Sequence, residues 1–347
     1  MKKLHHLVMN FKSKSKIFSL SFLFGLGLSL LFAACTANNV NNTTSANNST
    51  PNQISVVRIG YQKAVILLKN QGVIEKRLKP QGINVEWLEF PAGPQLLEAM
   101  NVGSIDFGHT GESPPVFAQA AGTALTYIAG IQSSPKSSAI LLPPNSTIQT
   151  VAELKGKKIA LQKGSSAHYL LLQILDKNGL KFSDIQPIYL PPADARAAFV
   201  KGSVDAWVIW DPFYAAAEEQ IKARVLIDGS DINKQGGYYL ASRKFATEQP
   251  QVIKDILEEI QKFEEWSSQN RETVATKLSP ILGIDLATMQ KATQRKQFGV
   301  VPINDDLIKE QQKVADKFYE LKLIPKQLNV QEAMLKPEQY AAFSPKT

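Results

Sequence analysis

An internal repeat constrains this chain more than any other feature. The stretch from Phe90 to Phe107 (FPAGPQLLEAMNVGSIDF) recurs from Tyr189 to Ala206 (YLPPADARAAFVKGSVDA), with Gly103 falling on Gly202 and Asp106 on Asp205. Held at that offset, Glu112 falls on Asp211, and each carboxylate is followed closely by proline (Pro114 and Pro115; Pro212). In each copy a strand end leads through Pro and Gly into a short helix, a Gly-Ser turn, a second strand and another Pro-started helix. Two similar α/β lobes, each presenting strand ends and helix starts, describe a clamp that closes on a small molecule.

The N-terminal end points to export. Residues 1–34 carry no acid, and Lys2, Lys3, Lys12, Lys14 and Lys16 precede an apolar run from Ile17 to Ala34 that ends in small residues. This is the pattern of a signal peptide. A transmembrane anchor is the alternative, since the run is just long enough to span. Cys35 is the only cysteine, so no internal disulfide exists, and an unpaired thiol in an exported chain calls for a reason. Residues 36–53 are nearly all Asn, Thr, Ser and Ala, a composition that buries nothing and reads as a flexible tether. The formal charge of +8 includes the five leader lysines; without them the balance falls to 34 basic against 31 acidic residues. With no basic cluster interleaved with aromatics, nucleic-acid binding has little support. The remaining length fits two domains of ordinary size.

The rest of the pattern assigns a first lobe to residues 54–145 and 236–347 and a second to 146–235. Strands are predicted at Ser55–Gly60, Ile83–Phe90 and Ile105–Gly108, with helices at Val65–Asn70 and Gln95–Asn101. Ala139–Leu142, ending at Pro143-Pro144-Asn145, is predicted to lead out of the first lobe. Thr150, with Glu153 three residues on, is predicted to cap the opening helix of the second. Strands are predicted there at Lys157–Gln162, Ile185–Leu190, Val204–Trp210 and Val225–Asp228, with helices at Ala167–Lys177 and Ala193–Val200. The segment from Gly236 to Ser242 crosses back, and the mostly helical tail from Gln249 wraps the first lobe.

Several strings carry a family resemblance: Ile59-Gly-Tyr-Gln-Lys, Glu89-Phe-Pro-Ala-Gly-Pro-Gln, Asn101-Val-Gly-Ser-Ile-Asp, Gln162-Lys-Gly-Ser-Ser, Pro192-Ala-Asp-Ala-Arg-Ala-Ala-Phe and Asp205-Ala-Trp-Val-Ile-Trp-Asp-Pro. From about Val56 to near Lys326 the chain resembles the aliphatic-sulfonate-binding proteins of bacterial ABC importers. Where those commonly have Ser-Thr-Gly-Asp, this chain has His109-Thr-Gly-Glu112. The resemblance implies the two-lobed α/β periplasmic-binding-protein fold of type II, with a ligand cleft between the lobes. It also implies capture of an alkanesulfonate for sulfur acquisition, delivery to a membrane permease and its ATPase, no cofactor and no catalysis. Cys35 after Leu31-Phe32-Ala33-Ala34 resembles a lipobox, which implies acylation of its thiol and a cell-envelope or periplasmic location. Phe32 stands where leucine is usual, so ordinary cleavage near Ala37 is the alternative. A monomer is expected.

A sulfonate is a tetrahedral monoanion with three acceptor oxygens and an apolar tail, so it needs N–H and O–H donors at one end and a dry wall at the other. Gly164-Ser165-Ser166, between a strand and a helix, is the best candidate cradle: helix starts have unpaired amides, glycine allows close approach and the hydroxyls add donors. A plain helix cap is the competing reading. Thr110-Gly111 makes the equivalent corner in the first lobe, and Gln62 can donate an amide from the end of the first strand. Trp210 is placed in the cleft, against the alkyl tail, and Trp207 in the core, because residues three apart on a strand face opposite sides. Glu112 and Asp211 are awkward beside an anion. They suit acid/base work, acceptance of hydrogen bonds that hold the donor loops, or receipt of a ligand ammonium such as that of taurine. Taurine, nitrate or another small anion is the alternative ligand, and an enzyme on this fold the remote one. His5 and His6 leave with the leader, while His109 and His168 have no Cys partner, so no metal site is expected. Ser165 and His168, one helical turn apart, lack a third orienting group for nucleophilic catalysis.

Overall fold

The computed structural model describes residues 54–232 and 236–340; the leader, Cys35 and the tether lie outside the described residues. The strands are β1 (Val56–Tyr61), β2 (Asn84–Glu89), β3 (Phe107–Thr110), β4 (Leu125–Ile131), β5 (Ser138–Leu142), β6 (Lys158–Leu161), β7 (Gln186–Tyr189), β8 (Ala206–Trp210), β9 (Arg224–Asp228), β10 (Tyr238–Ser242) and β11 (Val300–Val301). They form two sheets, ordered β11-β4-β10-β3-β1-β2 and β7-β6-β8-β5-β9.

The repeat is a repeat of topology. In one sheet β1 lies parallel between β2 and β3; in the other β6 lies parallel between β7 and β8. An antiparallel strand then flanks each trio, β10 beside β3 and β5 beside β8. The repeated Gly-Ser-x-Asp has a mechanical role in both. Gly103 (φ 73°) and Gly202 (φ 68°) take the left-handed conformation that ends each helix. The aspartate then accepts from a backbone amide of the neighbouring parallel strand: Asp106 from Arg58 N (2.9 Å) and Asp205 from Lys158 N (2.7 Å).

Two expectations about the second lobe need correction. Ser138–Leu142 does not close the first lobe; it sits between β8 and β9 in the second sheet, so the chain crosses before it, between Ile131 and Ser138. Its apolar run is continuous because Ala139 and Leu141 enter one core layer while Ile140 and Leu142 enter the other. The element after Thr150 is one 3₁₀ turn, Val151–Leu154, rather than a helix; Glu153 takes the Thr150 hydroxyl (2.9 Å), and Gly156 (φ 74°) follows after Lys155. In the first sheet β4 lacks the alternation that marks a strand, being buried on both faces for most of its length.

Each sheet carries packed layers on both faces. In the first, Pro250–Gln269, Arg271–Leu282 and Leu286–Arg295 cover one face through Ile253, Ile256, Val274 and Met289, while Asp305–Glu320 covers the other through Val314 and Phe318. Trp207 is fully buried in the second lobe, its ring 5.8 Å from that of Phe199.

Candidate functional site

Between the sheets, strand ends and helix starts from both copies of the repeat line one cavity of about 590 Å³, within the usual range for small-molecule sites. From the first lobe come Gln62, Thr110, Gly111 and Glu112; from the second, Ser165, Ser166, Trp210 and Asp211. Gly164 is absent from this lining. It takes a left-handed turn (φ 69°) behind the corner, with a hypothetical Cβ 3.2 Å from the Phe117 ring. Its amide donates to His168 Nδ1 (3.2 Å).

The cradle separates into parts with different jobs. Ser165 Oγ donates to Gln162 O (2.8 Å), so this hydroxyl closes the turn. Ser166 is the first residue of the twelve-residue helix Ser166–Lys177, which has no side-chain cap. Its first amides are therefore left to the cavity. Gly111 lies directly against Ser166 across the lobes, where a Cβ would stand 1.7 Å from Ser166 Oγ. Two further expected donors are engaged locally: Thr110 Oγ1 donates to Gly111 O (2.8 Å), and Gln62 Nε2 to His109 O (3.1 Å), leaving one amide hydrogen of Gln62 free to turn inward.

The repeated carboxylates end up in unlike surroundings. Asp211 Oδ1 accepts from Ala215 N (2.9 Å) and from Arg295 of the first-lobe helix Leu286–Arg295 (3.5 Å). Burial pushes its pKa up to about 6, against the pull of Arg295. Arg295 also grips Glu218, and Lys291 pairs with Glu218 and Glu219, so this carboxylate belongs to a clasp between the lobes. Glu112 is 2% exposed and has no ion-pair partner among the described residues. Burial carries its pKa up to about 7, while hydrogen bonds from backbone, Ser166 and Ser113 act the other way.

An apolar arm extends the cavity into the first lobe, and no local signal in the sequence announced it. Phe263, Val274, Leu278, Met289, Ala292 and Phe298 line it, all from the tail, where they read only as the buried face of helices. His109 enters from β3 on the same side as Phe107, its ring 6.3 Å from Tyr239. Burial, then nearby Lys296, lower its pKa to about 4, so it is neutral near pH 7. Lys296 and Glu264 face each other at 3.4 Å in the same wall. His168 is fully buried, accepts from Gly164 and titrates near 3 through burial; with Ser165 bonded to Gln162, no Ser-His hydrogen bond forms.

Two lobes built around parallel strands, with one cavity at facing strand ends, define a periplasmic solute-binding-protein fold. The chain belongs to the aliphatic-sulfonate-binding proteins of the NMT1/THI5-like family, whose pattern matches residues 78–272. It is 46% identical over 287 residues to a putative aliphatic sulfonates-binding protein of Escherichia coli (strain K12), covering 82% of this chain and 89% of that one. A Bacillus subtilis (strain 168) protein of the same description is 33% identical, with 81% and 86% covered. Among solved structures, the alkanesulfonate-binding protein of Xanthomonas axonopodis pv. citri bound to MOPS matches with a TM-score of 0.79 at 43% identity, covering 82% of this chain and 99% of that chain.

Proposed function

We propose that this chain is the solute-binding component of an ABC importer and captures aliphatic sulfonates outside the cytoplasm. The observation that carries this reading is the corner where Gly111 meets Ser166. An uncapped helix start and the Ser166 hydroxyl, which meets Glu112, converge there at one end of a cavity whose other end is an apolar arm. Donors at one end and a dry wall at the other match an anionic head with an alkyl tail. Gln62, Thr110, Gly111 and Ser166 form the head site, with Gly164 and Ser165 setting the turn behind it. Trp210, at the end of β8 with Phe213 edge-on at 6.4 Å, walls the tail. Because the ligand touches both lobes, binding favours the closed arrangement, which the permease then recognises. Acylation of Cys35 would hold the chain at the membrane as a monomer, the leader having been cleaved; among the described residues no helix is long and apolar enough to cross a membrane.

Calorimetric titration of the purified protein with ethanesulfonate, octanesulfonate, taurine, nitrate and sulfate tests the reading. Micromolar or tighter binding of the alkanesulfonates is expected, with the inorganic anions weak; silence from every sulfonate would refute the assignment.

The two serines separate by their effects. Ser166→Ala is expected to weaken alkanesulfonate binding by ~1.5–3 kcal/mol, the cost of removing a hydroxyl donor to an anion. Ser165→Ala should instead lower stability by about 1 kcal/mol, through its lost bond to Gln162 O, and leave affinity within a few-fold. Equal affinity losses from the two would show that the turn and the contact are not separable.

A further inference from the structure

Glu112 occupies the place where the sulfonate reading puts an anion. It stands between Gly111 and Ser113 at the start of Ser113–Ala120, lines the cavity and faces Ser166 across the lobes. Ser113 Oγ lies 3.2 Å from its Oε1, and the Ser166 hydroxyl also bonds to it. The groups packed around it provide no positive charge. Tyr169 approaches from Ser166–Lys177 and Tyr238 from β10; Asp305–Glu320 contributes Gln311, which donates to Glu112 O (2.7 Å), and Glu310, whose charge is negative. Tyr127 of β4 bonds Gln311 (3.0 Å), and Glu98 of Gly93–Asn101 and Glu332 of the 3₁₀ turn Val330–Ala333 are exposed. The lysines that line the cavity are engaged elsewhere: Lys63 lies over the Phe213 ring (5.9 Å) and Lys296 faces Glu264.

An ionised carboxylate against a bound sulfonate, in a corner removed from water and lacking a cation, would repel it strongly enough to cost orders of magnitude in affinity. A neutral carboxylic acid has the opposite effect, since its O–H is one more donor. We propose that Glu112 binds the sulfonate head as a neutral acid, so that capture by a chain whose Glu112 is ionised takes up one proton. This rests on the sulfonate reading and adds to it a donor that selects permanent anions and couples their affinity to pH.

With the free carboxyl titrating near 7, affinity should hold steady below that pH and fall about tenfold per unit above it. The test is titration of ethanesulfonate between pH 5.5 and 8.5, repeated at pH 8 in buffers of different ionisation enthalpy to count protons. The wild type should take up close to one proton at pH 8, and Glu112→Gln should bind with pH-independent affinity. A second readout is independent of ligand. Since the folded pKa lies above the unfolded one, the carboxyl contributes stability that is present below pH 4.5 and lost as pH rises through 7. Glu112→Gln should therefore raise the melting temperature relative to wild type at pH 8 and not at pH 4.5. Ethanesulfonate binding that is flat with pH and takes up no proton overturns this inference and leaves the sulfonate reading standing. Taurine affinity that rises with pH also overturns it, assigning an ionised Glu112 to the ammonium. No sulfonate binding at any pH overturns both.

Discussion

Gly111→Val is expected to reduce alkanesulfonate affinity at least a thousandfold while the protein stays folded. A Cβ at this position would fall 1.7 Å from Ser166 Oγ and 3.1 Å from Ser166 Cβ, two atoms of the opposite lobe. Gly111 does not sit at positive φ, so the penalty comes from the crossing rather than from its own backbone. With alanine, Ser166 can rotate its hydroxyl away, which removes one donor and leaves a tight contact; a loss of ten- to a hundredfold is expected. With valine the added methyls reach the helix start itself, and the lobes cannot approach closely enough for one anion to touch both. A thousandfold loss corresponds to about 4 kcal/mol. Calorimetry gives the affinity, and thermal melting within a few degrees of wild type would show that the fold survives. Valine binding within tenfold of wild type would mean that the ligand does not require this corner to close.

Trp207→Ala should cost about 3–5 kcal/mol of stability, the range for deleting a large aromatic from a packed core. The side chain is fully buried among Phe199, Leu141, Ile209 and Tyr214, on the face of β8 away from the helix Ser166–Lys177. Its indole N–H has no hydrogen-bond partner. Trp207→Phe should therefore cost much less than the alanine variant, because the phenyl ring keeps much of the apolar volume and no buried donor is left unpaired. Trp210→Ala should show the reverse pattern, with a modest stability loss and a larger loss of long-chain sulfonate affinity. Denaturant unfolding followed by calorimetry separates the two; equal destabilisation by both alanine variants would contradict the division of labour between the faces of the strand.

Much of the second lobe's plan could be read locally because its signals are short in range. Alternation placed β6, β7 and β8 within a residue or two, and the Gly-Ser turns announced their own left-handed glycines. The role of Asp106 and Asp205 in tying the parallel strands was not visible, although the repeat marked both residues. Their partners, Arg58 and Lys158, lie 48 and 47 positions away. The apolar run Ala139–Leu142 reads as the way out of the first lobe but belongs to a strand of the second, since periodicity reports burial and not which sheet does the burying.

The candidate site divides along the same line. Residue chemistry and the family resemblance together point to Gln62, Thr110, Gly111, Glu112, Gly164, Ser165, Ser166, Trp210 and Asp211; eight of the nine line one cavity, and Gly164 does not. Which of them has a free donor is a tertiary matter. Ser165 and Ser166 are adjacent and chemically identical, yet one hydroxyl is bound within its own turn to Gln162 and the other faces Glu112 and Gly111 across the lobes. Glu112 and Asp211 occupy equivalent places in the repeat, yet Arg295, 84 residues beyond Asp211, gives a cation to one and not the other. The apolar arm is decided in the same way, by tail helices folding back over β3 and β10. Local pattern determines which segments form strands and helices, because backbone sterics and side-chain alternation act over a few residues. Charge state, free donors and cavity shape depend on which distant segments meet, and only the folded chain settles that.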